Sequence, residues 1–194
     1  MFESLELADQ NLLILINSIH STFADHIMFY VSAIWIFFPY FFYIFYLVYK
    51  KVGIKYTAIL LVFIGLVIGL CDQASNITKH SVKRYRPTHN LVLKEKIHLV
   101  ENYTGGQYGF FSAHAANTFG IAMFLFLLFN KQTLAFRLVF FAWASITAYS
   151  RIYMGVHYPS DIFIGMIVGI LIGILVFKLQ KLLFSKKYDT IISL

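Results

Sequence analysis

The chain has 194 residues, of which 59% are hydrophobic and only 13% are charged. A soluble domain carries about 25% charged residues, so this balance excludes an ordinary soluble enzyme and indicates an integral membrane protein. The net charge of +7 is not gathered into a block, and no linker or low-complexity tract interrupts the chain. We therefore predict one membrane-embedded domain over residues 1–194, with no nucleic-acid partner.

The first segment of interest, from Leu5 to His20, is too short to span a membrane comfortably and has polar residues interspersed. It predicts an amphipathic helix at the interface or a partial span. Five more strongly apolar stretches follow, and with extension into their polar ends they approach the roughly 20 residues of a spanning helix. These stretches are Ile27–Tyr49, Tyr56–Cys71, Ala115–Asn130, Leu134–Tyr149 and Ile162–Phe177. The predicted fold is an all-α membrane bundle of five to six helices.

The distribution of charge predicts the orientation of this bundle. If the chain crosses at each apolar stretch, one side receives nine basic residues and one acid, whereas the other receives seven basic and eight acidic residues. The positive-inside rule then places the lysine-rich turns and the C-terminus in the cytoplasm. We expect a multi-pass protein with its N-terminus and its longest connection on the outer side.

Three polar clusters lie on the predicted outward side, each beside the end of an apolar stretch. They read "KHSVKRYRP" at residues 79–87, "GFFSAHAANTFG" at residues 109–120 and "SRIYMGVHYPSD" at residues 150–161. Placing charged residues at a membrane edge costs free energy, and such residues commonly mark functional sites. Because the topology brings all three clusters to one end of one bundle, they predict a single site.

The residue types in these clusters suit a phosphate group. Lys79, Arg86 and Arg151 supply fixed positive charge, and the arginine forks match phosphate oxygens. Ser112 lies at the start of a predicted helix, where a hydroxyl, free backbone N–H groups and the helix dipole all favour an anion. The sequence therefore predicts an anion site.

Two histidines supply chemistry near neutral pH. His114 and His157 offer a proton donor and a nucleophile. Asp161, four residues after His157, can reach one imidazole nitrogen, fix the tautomer and leave the other nitrogen free to attack phosphorus. Asp161 can also cap its own helix, and that role is compatible with orienting the histidine.

The three clusters together resemble the signature motifs of the type 2 phosphatidic acid phosphatases, the PAP2 family, whose superfamily includes the vanadium haloperoxidases. The second motif of that family usually reads Pro-Ser-Gly-His, whereas this chain has Phe111 and Ala113 in place of the proline and the glycine. The matching positions are Lys79, Arg86, Pro87, Ser112, His114, Ser150, Arg151, His157 and Asp161.

The resemblance implies a haloperoxidase-like helical core and a lipid phosphatase that needs no metal and no cofactor. His157 would attack the phosphoryl group to give a phosphohistidine, His114 would protonate the departing oxygen and then activate water, and Asp161 would orient His157. The phosphate would be held by Lys79, Arg86, Ser112, Ala113 and Arg151, with Pro87 and Ser150 in support.

Several membrane lipids present a phosphate at this depth. Within the resemblance, we expect undecaprenyl diphosphate or phosphatidylglycerol phosphate as the substrate, with lipid A as the alternative. A hypothesis of another class is a membrane protein that binds lipid phosphate without turnover. A third hypothesis, haloperoxidase-like oxidation, would require bound vanadate. The oligomeric state stays open.

Other polar residues on the outward side have simpler interpretations. We interpret one group of basic residues as interfacial anchors or as general attraction to anionic headgroups, and five histidines as surface polar residues. The basic residues are Lys83, Arg84, Lys94 and Lys96. The histidines are His20, His26, His80, His89 and His98.

Two sets of glycines carry further predictions. Gly105, Gly106 and Gly109 predict a hinge beside the phosphate pocket. Three more glycines repeat every four residues in the last apolar stretch, at positions 165, 169 and 173. Such small residues let helices approach closely, and we favour packing inside one bundle over a dimer face.

Overall fold

A computed structural model describes residues 2–33 and 37–184 of the chain, and helices dominate this part. Within it there are six α-helices, and no strand beyond an isolated bridge between Tyr85 and Tyr108. The helices are α1 (Phe2–Ser18), α2 (Thr22–Ser32), α3 (Phe38–Val82), α4 (Ala113–Leu128), α5 (Leu134–Tyr153) and α6 (Pro159–Leu183). The predicted all-α class and the number of helices are confirmed.

The N-terminal helix forms where it was predicted, as α1, and a sharp turn joins it to α2. Ser21 caps α2 by accepting a hydrogen bond from the backbone N–H of Ala24 at 3.2 Å. The axes of α1 and α2 differ by 117°. The N-terminal region is therefore a bent helix pair and not a single straight element.

The prediction of one helix from Ile27 to Tyr49 is wrong. Helix α2 ends at Ser32, and α3 starts at Phe38 with Pro39 in its first turn. Proline has no backbone N–H, so it is tolerated best where a helix begins. Residues 34–36 of the predicted stretch lie outside the described residues.

The sequence analysis predicted a turn between the stretches that end at Tyr49 and start at Tyr56. In the structure this turn is a break inside α3. Gly53 has φ 77° and ψ 174°, a backbone conformation that favours glycine. Phe38, Phe41 and Phe45 before the break, and Leu61, Ile64 and Ile68 after it, line one apolar cleft of about 420 Å³. The chain therefore folds back at Gly53, between the lysines that the sequence analysis placed in a cytoplasmic turn.

Among the described residues, α3 and α6 are long and apolar enough to cross a membrane, whereas α1 and α2 reach that length and apolarity only if the bent pair is counted as one span. Helix α4 is apolar but has only 16 residues. That is about 24 Å of helix, less than the ~30 Å thickness of the hydrocarbon core. The other stretches predicted as spans do form helices of the bundle, although they do not all reach the length and apolarity of a full crossing.

Helix α4 forms the centre of the bundle and packs against α3, α5 and α6. Nine of its 16 residues are buried, and these are mostly small or apolar. The residues with no exposed area are Ala115, Ala116, Ala122, Phe124, Leu125 and Leu128. A short helix can lie inside a membrane protein in this way because its neighbours, and not lipid, surround it.

The glycine repeat of α6 packs against α4, as the sequence analysis preferred. A methyl group at Gly169 would lie 2.2 Å from the carbonyl oxygen of Ala116, and one at Gly173 would lie 2.4 Å from that of Gly120. Backbone atoms cannot yield as a flexible side chain can. The glycines therefore set the distance between the two helices that carry the second and third motifs.

Gly169→Ala should destabilise the fold, because the added methyl group overlaps the backbone of α4. We expect a loss of about 2 kcal/mol and a melting temperature lower by about 5 °C. Gly69→Ala in α3 is the matched control, since a methyl group there meets nothing within 4 Å. Thermal unfolding of both variants in detergent measures the difference, and equal melting temperatures would contradict the close-packing role.

Candidate active site

The three polar clusters meet at one end of the bundle. Lys79 lies in the last turn of α3, His114 in the first turn of α4, and His157 in the connection between α5 and α6. The charges of Arg86, Arg151 and Lys79 act on both imidazoles, and the two imidazoles act on each other. The convergence predicted from topology is present in the structure.

His157 and Asp161 form a buried pair. The His157 side chain is 1% exposed and that of Asp161 is 0% exposed, and Nδ1 of the imidazole lies 3.3 Å from Oδ2 of the carboxylate. The same Oδ2 accepts a hydrogen bond from the backbone N–H of Tyr158 at 3.1 Å, which closes a capping box at the start of α6. Asp161 thus both caps its helix and faces Nδ1, so Nε2 of His157 is the nitrogen left for a ligand.

Arg86 is held close to this pair by two glycines. Its Nε donates to the carbonyl of Tyr108 at 3.2 Å. A methyl group on Gly105 would lie 2.6 Å from Nη1 of Arg86, and one on Gly109 would lie 3.0 Å from its Cγ and 3.3 Å from Oδ2 of Asp161. These glycines allow the loop between α3 and α4 to lie directly against the site. The hinge motion that the glycines predict is not tested by the structure and stays a prediction.

Arg151 is buried between elements that the motifs do not include. Its Nη1 donates to the hydroxyl of Ser32 in α2, and its Nη2 donates to the Tyr103 hydroxyl at 3.5 Å. Nε is buried and has no acceptor in the part of the chain that the structure describes. The guanidinium therefore keeps a donor that an anion would satisfy.

A cavity of about 180 Å³ lies beside Arg151 and His114. Ser32 and Tyr103 form part of its wall, so α2 and the long loop close one side of it. A water molecule occupies about 30 Å³ in the liquid, and the cavity has room for a group of phosphate size. Its lining brings a cation, an imidazole and two hydroxyl groups to one small space.

The other residues of the motifs support the site from behind. The Ser112 hydroxyl caps α4 by accepting from the N–H of Ala115 at 3.4 Å, and its own N–H donates to the carbonyl of Asp161 at 3.1 Å. Ser150 is fully buried and donates to the carbonyl of Thr147 at 2.7 Å. Pro87 starts a short 3₁₀ turn directly after Arg86. Whether the Ser112 hydroxyl or the Ala113 backbone contacts phosphate stays a prediction.

The bulky residue of the second motif has a place in the core. Phe111 is buried, and its carbonyl accepts a hydrogen bond from the hydroxyl of Ser75 in α3 at 2.9 Å. The family's usual proline is thus replaced by an aromatic ring that packs among α3 and α4. This contact ties the start of α4 to the helix that carries Lys79.

Arg84 is a site residue that the sequence analysis missed. Interpreting it as an interfacial anchor is wrong, since Nη1 donates to Oδ1 of Asp161 and Nη2 donates to Oδ2 of Asp9, both at 2.7 Å. Burial by itself would lower the pKa of Arg84, but the nearby carboxylates of Asp161 and Asp9 outweigh it and raise the pKa. The available signal was its position inside the first motif, two residues before Arg86.

A second cluster of possible metal ligands lies apart from this site. One ligand atom from each of His20, Asp25 and His98 lies within 4.8 Å of the others. The two imidazoles are stacked, with their centroids 3.7 Å apart and 5° between their planes. Because the lone pair of an imidazole nitrogen lies in the ring plane, an ion in the plane of one ring would lie well outside the plane of the other. We therefore interpret the cluster as a hydrogen-bonded pair of Asp25 and His98, with Oδ2 and Nε2 2.8 Å apart, and with His20 stacked on the ring of His98.

The chain is similar to known membrane phosphatases in sequence and in structure. Residues 56–184 match the sequence model of the PAP2 superfamily. A lipid A 4'-phosphatase of Bacteroides thetaiotaomicron is 38% identical over 173 residues, which cover 87% of this chain and 75% of that protein. The crystal structure of LpxE of Aquifex aeolicus has a TM-score of 0.65 and 26% identity, covering 87% of this chain and 93% of that one.

A second solved structure agrees in fold. It is a transmembrane PAP2 type phosphatidylglycerolphosphate phosphatase of Bacillus subtilis, with a TM-score of 0.68 and 18% identity, covering 92% of this chain and 87% of that one. The chain therefore belongs to the PAP2 superfamily, and the resemblance seen in its motifs is confirmed. It is an integral membrane protein of this family. The family match begins at residue 56, so α1, α2 and the first part of α3 lie outside it.

The environment of His157 leads to a prediction about pH. Burial, together with the charges of Arg86, Arg151 and Lys79, holds the pKa of His157 well below 6.5. A nucleophilic imidazole must be neutral, so activity should be lost on acidification only below pH 6.5. His114 donates only as an imidazolium, which burial and the charge of Arg151 disfavour in the free enzyme and which the negative charge of a bound phosphate favours. We therefore expect a bell-shaped profile of kcat, which reports the enzyme with substrate bound.

This profile is measured as phosphate release against pH. A parallel titration of the substrate accounts for its own phosphate ionisation, which lies near pH ~6. A rate that stays flat from about pH 5 to about pH 9 would contradict the division of roles between the two histidines.

Proposed function

We propose that the chain is a metal-independent lipid phosphatase that works through a phosphohistidine on His157. One observation carries the proposal, namely the pairing of a buried imidazole with a buried carboxylate beside three cationic side chains from separate parts of the chain. Burial of ionisable groups is unfavourable for folding, and such groups beside a cavity and specific charged partners are typical of functional sites.

The first step is attack by Nε2 of His157 on phosphorus. Asp161 faces Nδ1 at 3.3 Å, which keeps the proton on Nδ1 and the lone pair on Nε2. As the N–P bond forms and the bond to the lipid oxygen breaks, the imidazole becomes positively charged, and the carboxylate stabilises that charge. Hydrogen bonds of this kind often tighten when substrate binds.

The second histidine handles protons. His114 lies beside the cavity, where it donates a proton to the departing lipid oxygen. It then takes a proton from a water molecule that attacks the phosphohistidine, which breaks the N–P bond and releases inorganic phosphate. His157 returns to its neutral form and the cycle closes.

Three cations stabilise the phosphoryl group as it transfers. Lys79, Arg86 and Arg151 bring their charges to the two imidazoles from α3, the following loop and α5. The three equatorial oxygens of the transferring group carry the developing charge, so fixed donors around them lower the barrier without a bound metal.

The apolar cleft of α3 supports a lipid substrate over a soluble phosphate ester. Ile121 lines this cleft and follows His114 by seven residues, which places both on one face of α4 about 10 Å apart. Trp143 of the same cleft precedes Arg151 by eight residues, about 12 Å along α5. An acyl chain extending from a phosphate at the site would reach this cleft.

Among lipids we propose lipid A, or a close precursor, as the substrate. The support is the similarity to a lipid A 4'-phosphatase over most of both chains, and a second protein of that name, from Porphyromonas gingivalis, is 30% identical. This ranks lipid A above undecaprenyl diphosphate and phosphatidylglycerol phosphate, the substrates expected within the resemblance. The reaction is then hydrolysis of a sugar phosphate monoester.

We place the site at the outer face of a bacterial inner membrane and the C-terminus in the cytoplasm. The lysines around the Gly53 break lie at the opposite end from Lys79 of the part of α3 that follows the break. The helix between them is about 39 Å long, enough to cross a hydrocarbon core of about 30 Å. The positive-inside rule puts the lysine-rich end in the cytoplasm.

His157→Ala should abolish phosphate release by the purified protein in detergent. Without the nucleophile the rate should fall at least about a thousand-fold, while release by the wild-type protein should survive excess EDTA. His26→Ala is the control, since that imidazole is 60% exposed on α2. A His157→Ala variant that retains turnover, or a wild-type protein inactivated by EDTA, would contradict the mechanism.

The substrate assignment is tested with a panel of four lipids under the same conditions. We expect the highest kcat/KM for lipid A, with lower values for undecaprenyl diphosphate, phosphatidylglycerol phosphate and phosphatidic acid. A different ranking would overturn the assignment and leave the mechanism intact. Headgroup binding without release from any of the four would favour the non-catalytic alternative.

A further inference from the structure

The carboxylate beside His157 depends on a counter-charge from outside the third motif. Asp161 is fully buried, and a buried carboxylate costs several kcal/mol unless it is paired and hydrogen-bonded. Arg84 pairs with it through Nη1 and Oδ1 at 2.7 Å, and the same Nη1 also reaches the Ser160 hydroxyl at 2.8 Å. The charge and the orientation of Asp161 are therefore coupled to Arg84.

Arg84 is in turn held by the N-terminal helix. Its Nη2 donates to Oδ2 of Asp9 at 2.7 Å, and its guanidinium lies 3.9 Å from the ring centroid of Tyr158. The side chain of Arg84 is 18% exposed and that of Asp9 is 11% exposed, so water screens this pair much less than a surface pair. Arg84 thus lies between two carboxylates, one on α1 and one on α6.

Asp9 is itself fixed on the first turn of α6. Its Oδ1 accepts from the backbone N–H of Ser160 at 2.9 Å, and its Oδ2 accepts from the Ser160 hydroxyl. A backbone N–H in the first turn of a helix has no partner within the helix, and a negative charge is favourable there. The carboxylate of Asp9 is therefore fixed on Ser160, the residue that precedes Asp161 in α6.

We propose that Asp9 is a positioning residue for catalysis, which acts through Arg84 on Asp161 and His157. The inference rests on the proposed function, and it makes α1 a part of the active-site structure. Helix α1 lies outside residues 56–184, which match the family. The contact between Asp9 and Arg84 therefore joins the N-terminal region to the part of the chain that carries the motifs.

The expected effect follows from the charges in the chain of contacts. Arg84 by itself would cancel much of the negative charge that Asp161 presents to His157. Asp9 engages the other side of the same guanidinium, so the three groups together keep one net negative charge. Loss of the charge on Asp9 would leave the positive imidazole of the transition state less stabilised. The charged and titratable groups that act on His157 are Asp161, His114, Lys79, Arg84, Arg86 and Arg151.

The test is Asp9→Asn, which removes the charge and nearly preserves the shape. We expect kcat to fall about 10-fold to 100-fold, the range seen when a group that orients a functional residue is removed, with KM nearly unchanged. The acidic limb of the pH profile should move down by about half a pH unit, because one negative charge near His157 is lost. Glu3→Gln is the matched control, since Glu3 is an exposed acid on the same helix, and it should leave both quantities unchanged.

Further variants separate positioning from a structural role. Asp9→Glu restores the charge and should return the acidic limb to its wild-type position. Ser160→Ala removes only the hydroxyl contacts and should lower kcat about three-fold, which keeps the inference testable if Asp9→Asn does not fold. Folded Asp9→Asn with wild-type kcat and pH profile would overturn the inference, as would loss of activity that tracks melting temperature without a shift of the limb. A wild-type protein that releases no phosphate would instead refute the proposed function.

Discussion

The active end of this protein depends on keeping charged side chains buried at the edge of a membrane. Asp161 and His157 have almost no exposed surface, and the charges of Arg86, Arg151 and Lys79 act on His157. Each of these groups would be unfavourable alone, because burial removes its hydration. Together they form a network in which each carboxylate has a guanidinium or an imidazole partner. A phosphate bound in the cavity would offset the positive charge that remains.

The helical bundle supplies the rigidity that such a network requires. Helix α4 lies between α3 and α6, and the glycines of α6 allow its backbone to reach the carbonyl oxygens of α4. The start of α4 is tied to α3 by the hydrogen bond between Ser75 and Phe111 and to α6 by that between Ser112 and Asp161. The three motifs are therefore held together through backbone contacts, which tolerate little displacement.

The N-terminal region contributes more than a membrane anchor. Helix α1 brings Asp9 to Arg84, and α2 brings Ser32 to Arg151. Two of the arginines at the site are thus oriented by side chains that precede the family match. The 117° bend between α1 and α2 separates the two helices, and each of them contacts a different arginine. The long loop between α3 and α4 adds Tyr103 and the close-packing glycines.

The sequence by itself determined the class of the fold, the family and the list of motif residues, because apolar runs and fixed motif spacings are local features of the chain. It also predicted the contact between His157 and Asp161, since a carboxylate in the first turn of a helix can reach back to a residue just before that helix. It placed a turn at the lysines where α3 folds back, but it did not predict the break after Ser32, which depends on where α3 starts. It also could not identify the partners of Arg84 and Arg151. Asp9 and Ser160 are 151 residues apart in sequence, and no periodicity connects them. Only the tertiary structure decided these contacts, because buried charges pair with the oppositely charged groups that the fold brings near them, whatever their separation in sequence.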